Sequence, residues 1–420
     1  MSSVCFYFQV HQPLRVKRYS IFDVGKDRDY FTTNDESKLN NTKIVHKVAN
    51  KCYLPANAVL LDLLKKHREF RVSFSISGVA LEQFERDYPE VIDSFKRLVD
   101  TGRVELLSET YYHSLSFLKS KDEFRHQVQM HRDKVRRLFG VKPTIFRNTE
   151  LIYNNDVARE VEKMGFKGIL AEGADHVLGW RSPNFLYRPE GTKNIKLLLK
   201  NYRLSDDIAF RFSSREWAEY PLTADKFAHW VSGHNGAAEV LNFFMDYETF
   251  GEHQWEDTGI FNFMRHLPGE ILKHPDNDFV TPSEAVKRYD ARWSLDVPKF
   301  MSWADVERDL SAWLSNPIQH GAFNHVYDLE KRVLATRDKK LIEDWRRLQT
   351  SDHFYFMCTK WFADGDVHKY FNPYETPYDA FISYMNVMKD FEIRLQELET
   401  NRSNKKGWFG EMMGKLMVRK

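Results

Sequence analysis

The chain has 420 residues, 42% hydrophobic and 29% charged, with a formal net charge of +2 at pH 7. That balance excludes a disordered chain and leaves no basic surplus with which to hold nucleic acid or an anionic membrane. Three widely separated cysteines, Cys5, Cys52 and Cys358, exclude a disulfide framework and a cysteine-based zinc site.

The N-terminal run MSSVCFYFQVHQP has no charged region ahead of a long apolar stretch, so no signal peptide is expected. No stretch approaches the roughly 20 apolar residues of a membrane span, and a cytoplasmic protein without membrane attachment is expected. Buried-strand patterns occur at 4–10, 70–77, 103–108, 144–148, 167–171 and 239–246. Between them lie amphipathic stretches at 55–67, 79–99, 120–139, 154–164, 223–232 and 258–273. Ser120 followed by Glu123 marks one helix start, a side-chain acceptor with a carboxylate three residues on. The alternation predicts parallel strands with right-handed crossovers over residues 1–300, in a barrel or a doubly wound sheet. Beyond about residue 300 the strand signal fades. Segments 303–315, 326–350 and 376–399 have helical spacing, so 301–420 is expected to be a helical domain packed on the first. The basic and apolar end, KKGWFGEMMGKLMVRK, reads as a docked terminal helix or a frayed tail.

In an α/β barrel the chemistry collects at the carboxyl ends of the strands. There the sequence places His11-Gln12-Pro13, Ser77 to Glu82, Glu109 with Tyr111, Tyr112 and His113, Asn148-Thr149-Glu150, and Asp246-Tyr247-Glu248. Two carboxylates on separate strand ends are what glycosidic bond cleavage needs: one protonates the leaving oxygen, the other attacks the anomeric carbon or activates water. One must stay protonated while the other is ionised. Phe243, Phe244 and Met245 give Asp246 the more apolar setting, which raises a carboxyl pKa and favours Asp246 as the acid and Glu150 as the nucleophile. Glu248 points to the same side of an extended strand, and spacing alone leaves it open as the acid. Aromatic residues make up 15% of the chain, enough for some to line a groove where flat rings stack on sugars.

These motifs resemble, in order, the five conserved regions of glycoside hydrolase family 57: His11-Gln12-Pro13, Gly78-Val79-Ala80-Leu81-Glu82, Asn148-Thr149-Glu150-Leu151, Phe244 to His253 (FMDYETFGEH), and Thr281-Pro282-Ser283-Glu284. The segment Arg203 to Arg211 is similar to the family's α-amylase branch. The resemblance implies a distorted TIM-like (β/α)7 barrel with a C-terminal α-helical bundle, and retaining hydrolysis of α-1,4-glucans without metal or cofactor. It implies Glu150 as nucleophile and Asp246, rather than Glu248, as general acid/base. Glu248, His11 and Glu82 become sugar contacts. Gln9 stands where many members carry a second histidine.

Further substrate contacts are expected from Tyr112 and His113, from Trp180 and Trp255 in turn-rich loops, and from Glu284. The last also reads as the far end of a capping box opened by Thr281. His113 and His253 lack the paired spacing of a metal site. A 4-α-glucanotransferase with the same carboxylates, a non-catalytic glucan-binding protein and a metal-dependent deacetylase are the competing functions. Oligomeric state is not readable from the sequence.

Overall fold

A computed structural model of the chain describes residues 2–35, 38–360 and 367–417, with side chains as far as Arg402. It groups into two compact units, Met1–Pro13 with Thr42–Ser311, and Leu14–Asn41 with Ala312–Lys420.

The first unit has ten strands: β1 (Ser2–Val10), β2 (Val72–Ile76), β3 (Val104–Leu106), β4 (Ile145–Arg147), β5 (Gly168–Glu172), β6 (Tyr187–Pro189), β7 (Lys196–Lys200), β8 (Val240–Asp246), β9 (Asn277–Phe279) and β10 (Trp293–Leu295). Ladders run β3-β2-β1-β8 in one sheet and β10-β6-β7-β5-β4 in the other, with β9 also paired to β1. Two seams join them. Ser108 bridges to Phe146 in parallel, its N–H donating to the Ile145 carbonyl at 3.0 Å. At the other seam the Asn201 N–H donates to the Asn242 carbonyl at 2.9 Å, and Asn242 Nδ2 to the Leu199 carbonyl at 2.9 Å. Strands β1, β2, β3, β4, β5, β7 and β8 thus form a seven-stranded parallel barrel. Six of these strands match the expected patterns. Strand β7 does not appear among them, because Lys196 and Lys200 at its ends mask a core of only three leucines.

Side chains alternate along each strand. Phe6, Phe8 and Phe243 pack outward with the surrounding helices, while Cys5, Tyr7, Leu107, Ile145, Leu170, Leu198 and Phe244 form an apolar cluster inside the barrel. Two residues further along each inward row stand Gln9, Glu109, Arg147, Glu172, Lys200 and Asp246. The change from grease to charge within one side-chain layer fixes where the site lies.

Local chemistry sets the helices. The Ser120 side chain accepts the Glu123 N–H at 3.1 Å and opens the helix Lys121–Phe139. The stretch read as one helix at 79–99 is two, Gly78–Asp87 and Pro89–Val99, divided at Pro89, whose ring fits only the first turn of the second. Segment 303–315 is not helical: it is a series of turns in which Asp305 and Arg308 take left-handed φ values of 54° and 51°.

In the second unit the segment Leu14–Asn41 is tied to the helix Pro377–Met417. Asp390 accepts the Tyr30 hydroxyl at 2.7 Å and the Gly25 N–H at 2.6 Å, and Arg394 donates to Tyr30 at 2.9 Å while pairing with Asp344 at 3.0 Å. The helices Pro317–Asp328, Glu330–Thr336 and Lys339–Arg347 complete the fold around buried Trp345. The side chains of the basic, apolar tail lie outside the described residues. No helix among the described residues is long and apolar enough to cross a membrane.

Candidate active site

Strand β4 ends in the tight turn Thr149–Leu151, where Glu150 sits at φ 58°, ψ 23° and Leu151 at φ 50°. Left-handed backbone costs a side-chain-bearing residue about 1–3 kcal/mol and persists only where neighbours over-determine it. Here Asn148 Nδ2 donates to the Ile152 carbonyl at 2.9 Å, Thr149 meets Thr110 hydroxyl to hydroxyl at 2.9 Å, and the Trp303 N–H donates to the Glu150 carbonyl at 3.3 Å. The turn lifts the Glu150 carboxylate into the space above the barrel.

Both oxygens of that carboxylate are held. Trp303 Nε1–H donates to Oε2 at 2.7 Å, and His113 Nε2 lies 3.1 Å from Oε1. His113, itself at φ 50°, bonds Glu109 through Nδ1 at 2.8 Å. Burial alone would lower the His113 pKa, but its bonds to Glu109 and Glu150 outweigh it and push it up to about 9. Burial would raise Glu109, yet the bond to His113 and the nearby positive charge bring it down to about 2. The pair is therefore carboxylate and imidazolium at neutral pH. Gln9 Nε2 donates to the other Glu109 oxygen at 3.0 Å, so the residue standing in a familiar histidine position buttresses His113 from below. His11 stacks on His113, ring centroids 3.9 Å apart, and its Nδ1 is 2.7 Å from the Ser77 hydroxyl.

Asp246 is the last residue of β8, in register with Gln9. Burial first, and the negative charge of Glu150 second, push its pKa up to about 6 against the opposing charges of Arg147, His113 and Lys200. Glu248 is more deeply buried. Its Oε1 accepts the Tyr53 hydroxyl and the His11 N–H, and burial with the charge of Asp246 pushes it up to about 8. Gly251, at φ 111°, closes the turn behind them: a Cβ there would stand 2.0 Å from the Lys51 carbonyl oxygen.

Two cations flank the pair. The Arg147 guanidinium is wholly buried, with none of its three nitrogens hydrogen-bonded to a described protein atom, and lies 4.9 Å from the Trp303 ring centroid. Lys200 Nζ is 5.5 Å from the same ring. It pairs with Asp206 at 3.0 Å and Glu172 at 3.7 Å, and Arg308 reaches both acids at 3.6 Å.

The expected contacts divide. His11, His113, Glu150, Asp246 and Glu248 come together. Glu82 accepts the Tyr111 hydroxyl at 2.8 Å on the helix that follows β2, while Tyr112 is buried with its ring against Tyr111. Trp180 and Trp255 are exposed, the first edge-on to Trp293 and the second beneath Lys51. Glu284 is not brought to this site. It completes the capping box of the helix Pro282–Arg288, its carboxylate accepting the Thr281 N–H at 2.8 Å, and lines a cleft with Arg71 and Glu105 at the amino end of β3. Burial takes His253 down to about 4, so it is neutral at physiological pH. Among the described residues no group of three or more His, Cys, Asp or Glu is arranged to hold a metal ion.

Three residues of the site were not predicted. Arg147 carried a signal, being a charge on an inward strand row, as did Glu109, which the sequence placed at a strand end without a role. Lys200 was hidden with β7. Trp303 had no local signal at all, lying 153 positions from the carboxylate it binds.

Residues 5–298 match Glycosyl hydrolase family 57. A protein of Methanocaldococcus jannaschii named "Putative alpha-amylase" is 45% identical over 94% of this chain and 85% of its own length. Among solved structures, the family 57 branching enzyme of Pyrococcus horikoshii superposes with a TM-score of 0.66 at 15% identity, covering 88% of this chain and 87% of that one. The 4-alpha-glucanotransferase of Thermococcus litoralis gives 0.62 at 17% identity over 84% of this chain, which spans 56% of that enzyme. The family match, the barrel and the paired carboxylates agree, and the chain is a member of glycoside hydrolase family 57.

Proposed function

We propose that the protein is a retaining hydrolase of α-1,4-glucans, working by double displacement with Glu150 as nucleophile and Asp246 as general acid/base. The observation that carries this reading is the unequal treatment of the two carboxyls. Glu150 is clamped by an imidazolium and an indole N–H, donors that favour its ionised form. Asp246 has an elevated pKa that keeps it protonated into mildly acidic conditions.

In the first step Asp246 donates its proton to the glycosidic oxygen as the Glu150 carboxylate attacks the anomeric carbon, and the leaving sugar departs with the proton. Esterification removes the Glu150 charge, one of the two causes that hold the Asp246 pKa up. Asp246, which has given up its proton, therefore stays a carboxylate until it takes a proton from water as that water attacks the anomeric carbon. Glu150 leaves as a carboxylate, received again by His113 and Trp303. The same group acts as acid and then as base because the nucleophile's charge comes and goes beside it.

The α-glucan substrate is supported by the family and by the names of its relatives. The likeness to a glucanotransferase keeps one alternative in view, in which a sugar hydroxyl replaces water in the second step. A cytoplasmic setting suits the three buried free thiols. Incubating wild type and Glu150→Gln with maltoheptaose and resolving the products tests the reading. Hydrolysis gives only shorter oligomers and needs Glu150; longer products mean transfer, and no cleavage by wild type defeats both.

A further inference from the structure

A shallow, open surface cavity on the first unit is lined by, among others, Arg203, Asp207, Arg211, Trp217, Glu219 and Trp230. Trp217 and Trp230 meet edge to face, 6.2 Å between centroids, and both are half-buried against the core below. Arg203, Asp207 and Arg211 recur every four residues along and just past the helix Tyr202–Ala209, so they form one stripe. Arg211 Nε donates to Asp207 at 2.6 Å and its Nη2 to the Arg203 carbonyl at 2.8 Å, which fixes the guanidinium.

Two features define the ligand. The two arginines and two acids on the wall cancel in charge, so it offers no net attraction to an ion. What remains is the indole surface left open by Arg211, 5.8 Å from the Trp217 centroid, and Lys226, 5.6 Å from the Trp230 centroid, beside fixed carboxylate and guanidinium groups; rings and charged groups bind the C–H faces and the hydroxyls of a sugar respectively. One helix serves both places: Asp206 pairs with Lys200 above the barrel, and its neighbour Asp207, about 100° round the helix, faces the cavity.

We propose that this flank cavity is a second carbohydrate-binding site, which holds the distal part of a long α-glucan while another part is cut at Glu150 and Asp246. The proposal rests on the α-glucan reading above. The test compares wild type with Trp217→Ala/Trp230→Ala on amylose and on maltotetraose, the short substrate serving as the control for action at the carboxylates. The expected result is a loss of about tenfold in kcat/KM on amylose, the equivalent of one to two ring contacts, with maltotetraose unchanged. Trp217→Phe/Trp230→Phe keeps rings against the core and serves if the alanine pair fails to fold; it is expected to give a smaller loss of the same selectivity. Affinity electrophoresis through glycogen, with Glu150→Gln as the silent background, should lose retardation when the alanine pair is added and lose part of it with the phenylalanine pair. Equal losses on both substrates, or none on either, overturn the flank site. Wild-type turnover of maltotetraose preserves the glucan reading in either case.

Discussion

Two layers of the barrel interior, one side chain apart, do opposite work. The lower layer, Tyr7, Leu107, Ile145, Leu170, Leu198 and Phe244, is apolar and fully or almost fully buried. The upper layer, Gln9, Glu109, Arg147, Glu172, Lys200 and Asp246, is polar on each of these six strands and buried except at Asp246, which is partly exposed. In the lower layer, apart from the Tyr7 hydroxyl that reaches Gln9 and Ser75, the contacts are non-directional and stabilise by excluding water. In the upper layer burial penalises every charge: Glu109, Glu172 and Lys200 are held by specific partners, while Arg147 and Asp246 are balanced by the charges around them. The comparison teaches that the catalytic electrostatics are the top course of the core itself. The surrounding low dielectric is what lifts Asp246 to about 6 and makes each neighbouring charge count.

The largest effect is expected from the carboxyls. Glu150→Ala and Asp246→Ala should each lose on the order of 10⁴-fold in kcat with an unchanged melting profile. Azide should restore part of the rate in both, and the products tell the roles apart. In Glu150→Ala, azide replaces the nucleophile and yields an inverted glycosyl azide. In Asp246→Ala it intercepts the glycosyl-enzyme and yields a retained one. Either variant turning over like wild type sinks its assignment.

On strands other than that of Asp246 the lower layer should answer to stability alone. Leu170→Ala should cost about 2–5 kcal/mol in denaturant unfolding while the folded fraction keeps the wild-type pH profile. A changed profile would mean that the layers are not separable.

His113→Asn should slow kcat by about 10²-fold, the usual scale for one lost charge-stabilising donor. It should also move the acid limb of the kcat/KM profile toward neutral pH, because the cation beside Glu150 is gone. A purely structural histidine would lower stability without moving that limb.

Arg147→Met should act in the opposite pH range. Arg147 holds the Asp246 pKa down, so its removal lets that pKa rise and carries the basic limb upward by roughly one pH unit. An unmoved limb would detach Arg147 from the acid.

The smallest effect on rate belongs to Glu248→Gln, which should raise KM more than it lowers kcat. Its folded pKa, near 8, lies above the ordinary carboxyl value of 4.5, so the native state binds the extra proton. Wild type should therefore lose stability as pH climbs from about 4.5 to 8, and the glutamine variant should lose less. A variant as inactive as Asp246→Asn with an unchanged KM would promote Glu248 to the acid role.

How much was legible beforehand can be read from particular residues. Six barrel strands announced themselves, because apolar runs such as VCFYFQV and VLNFFMD suit only a buried strand. Glu150 and Asp246 stood out as acids at strand ends inside specific motifs, and Thr281 with Glu284 spelled out a capping box that formed as written. These signals are local, since caps and strand patterns are decided within a few residues of chain. What tertiary structure alone decided is long-range. The helical spacing of 303–315 gave way to turns that set the indole of Trp303 on Glu150 and between Arg147 and Lys200. His113 read as a sugar contact, yet its two nitrogens are bonded by Glu109 and Glu150, because a left-handed turn aims the ring inward. Segment Leu14–Asn41, contiguous in sequence with β1, groups instead with the C-terminal helices, where Asp390 satisfies Tyr30 and Gly25. The sequence determined which groups could do the chemistry. Beyond the bond between His113 and Glu109, four positions apart, Glu150 is held by partners 37 and 153 positions away, which only the barrel brings within hydrogen-bonding reach.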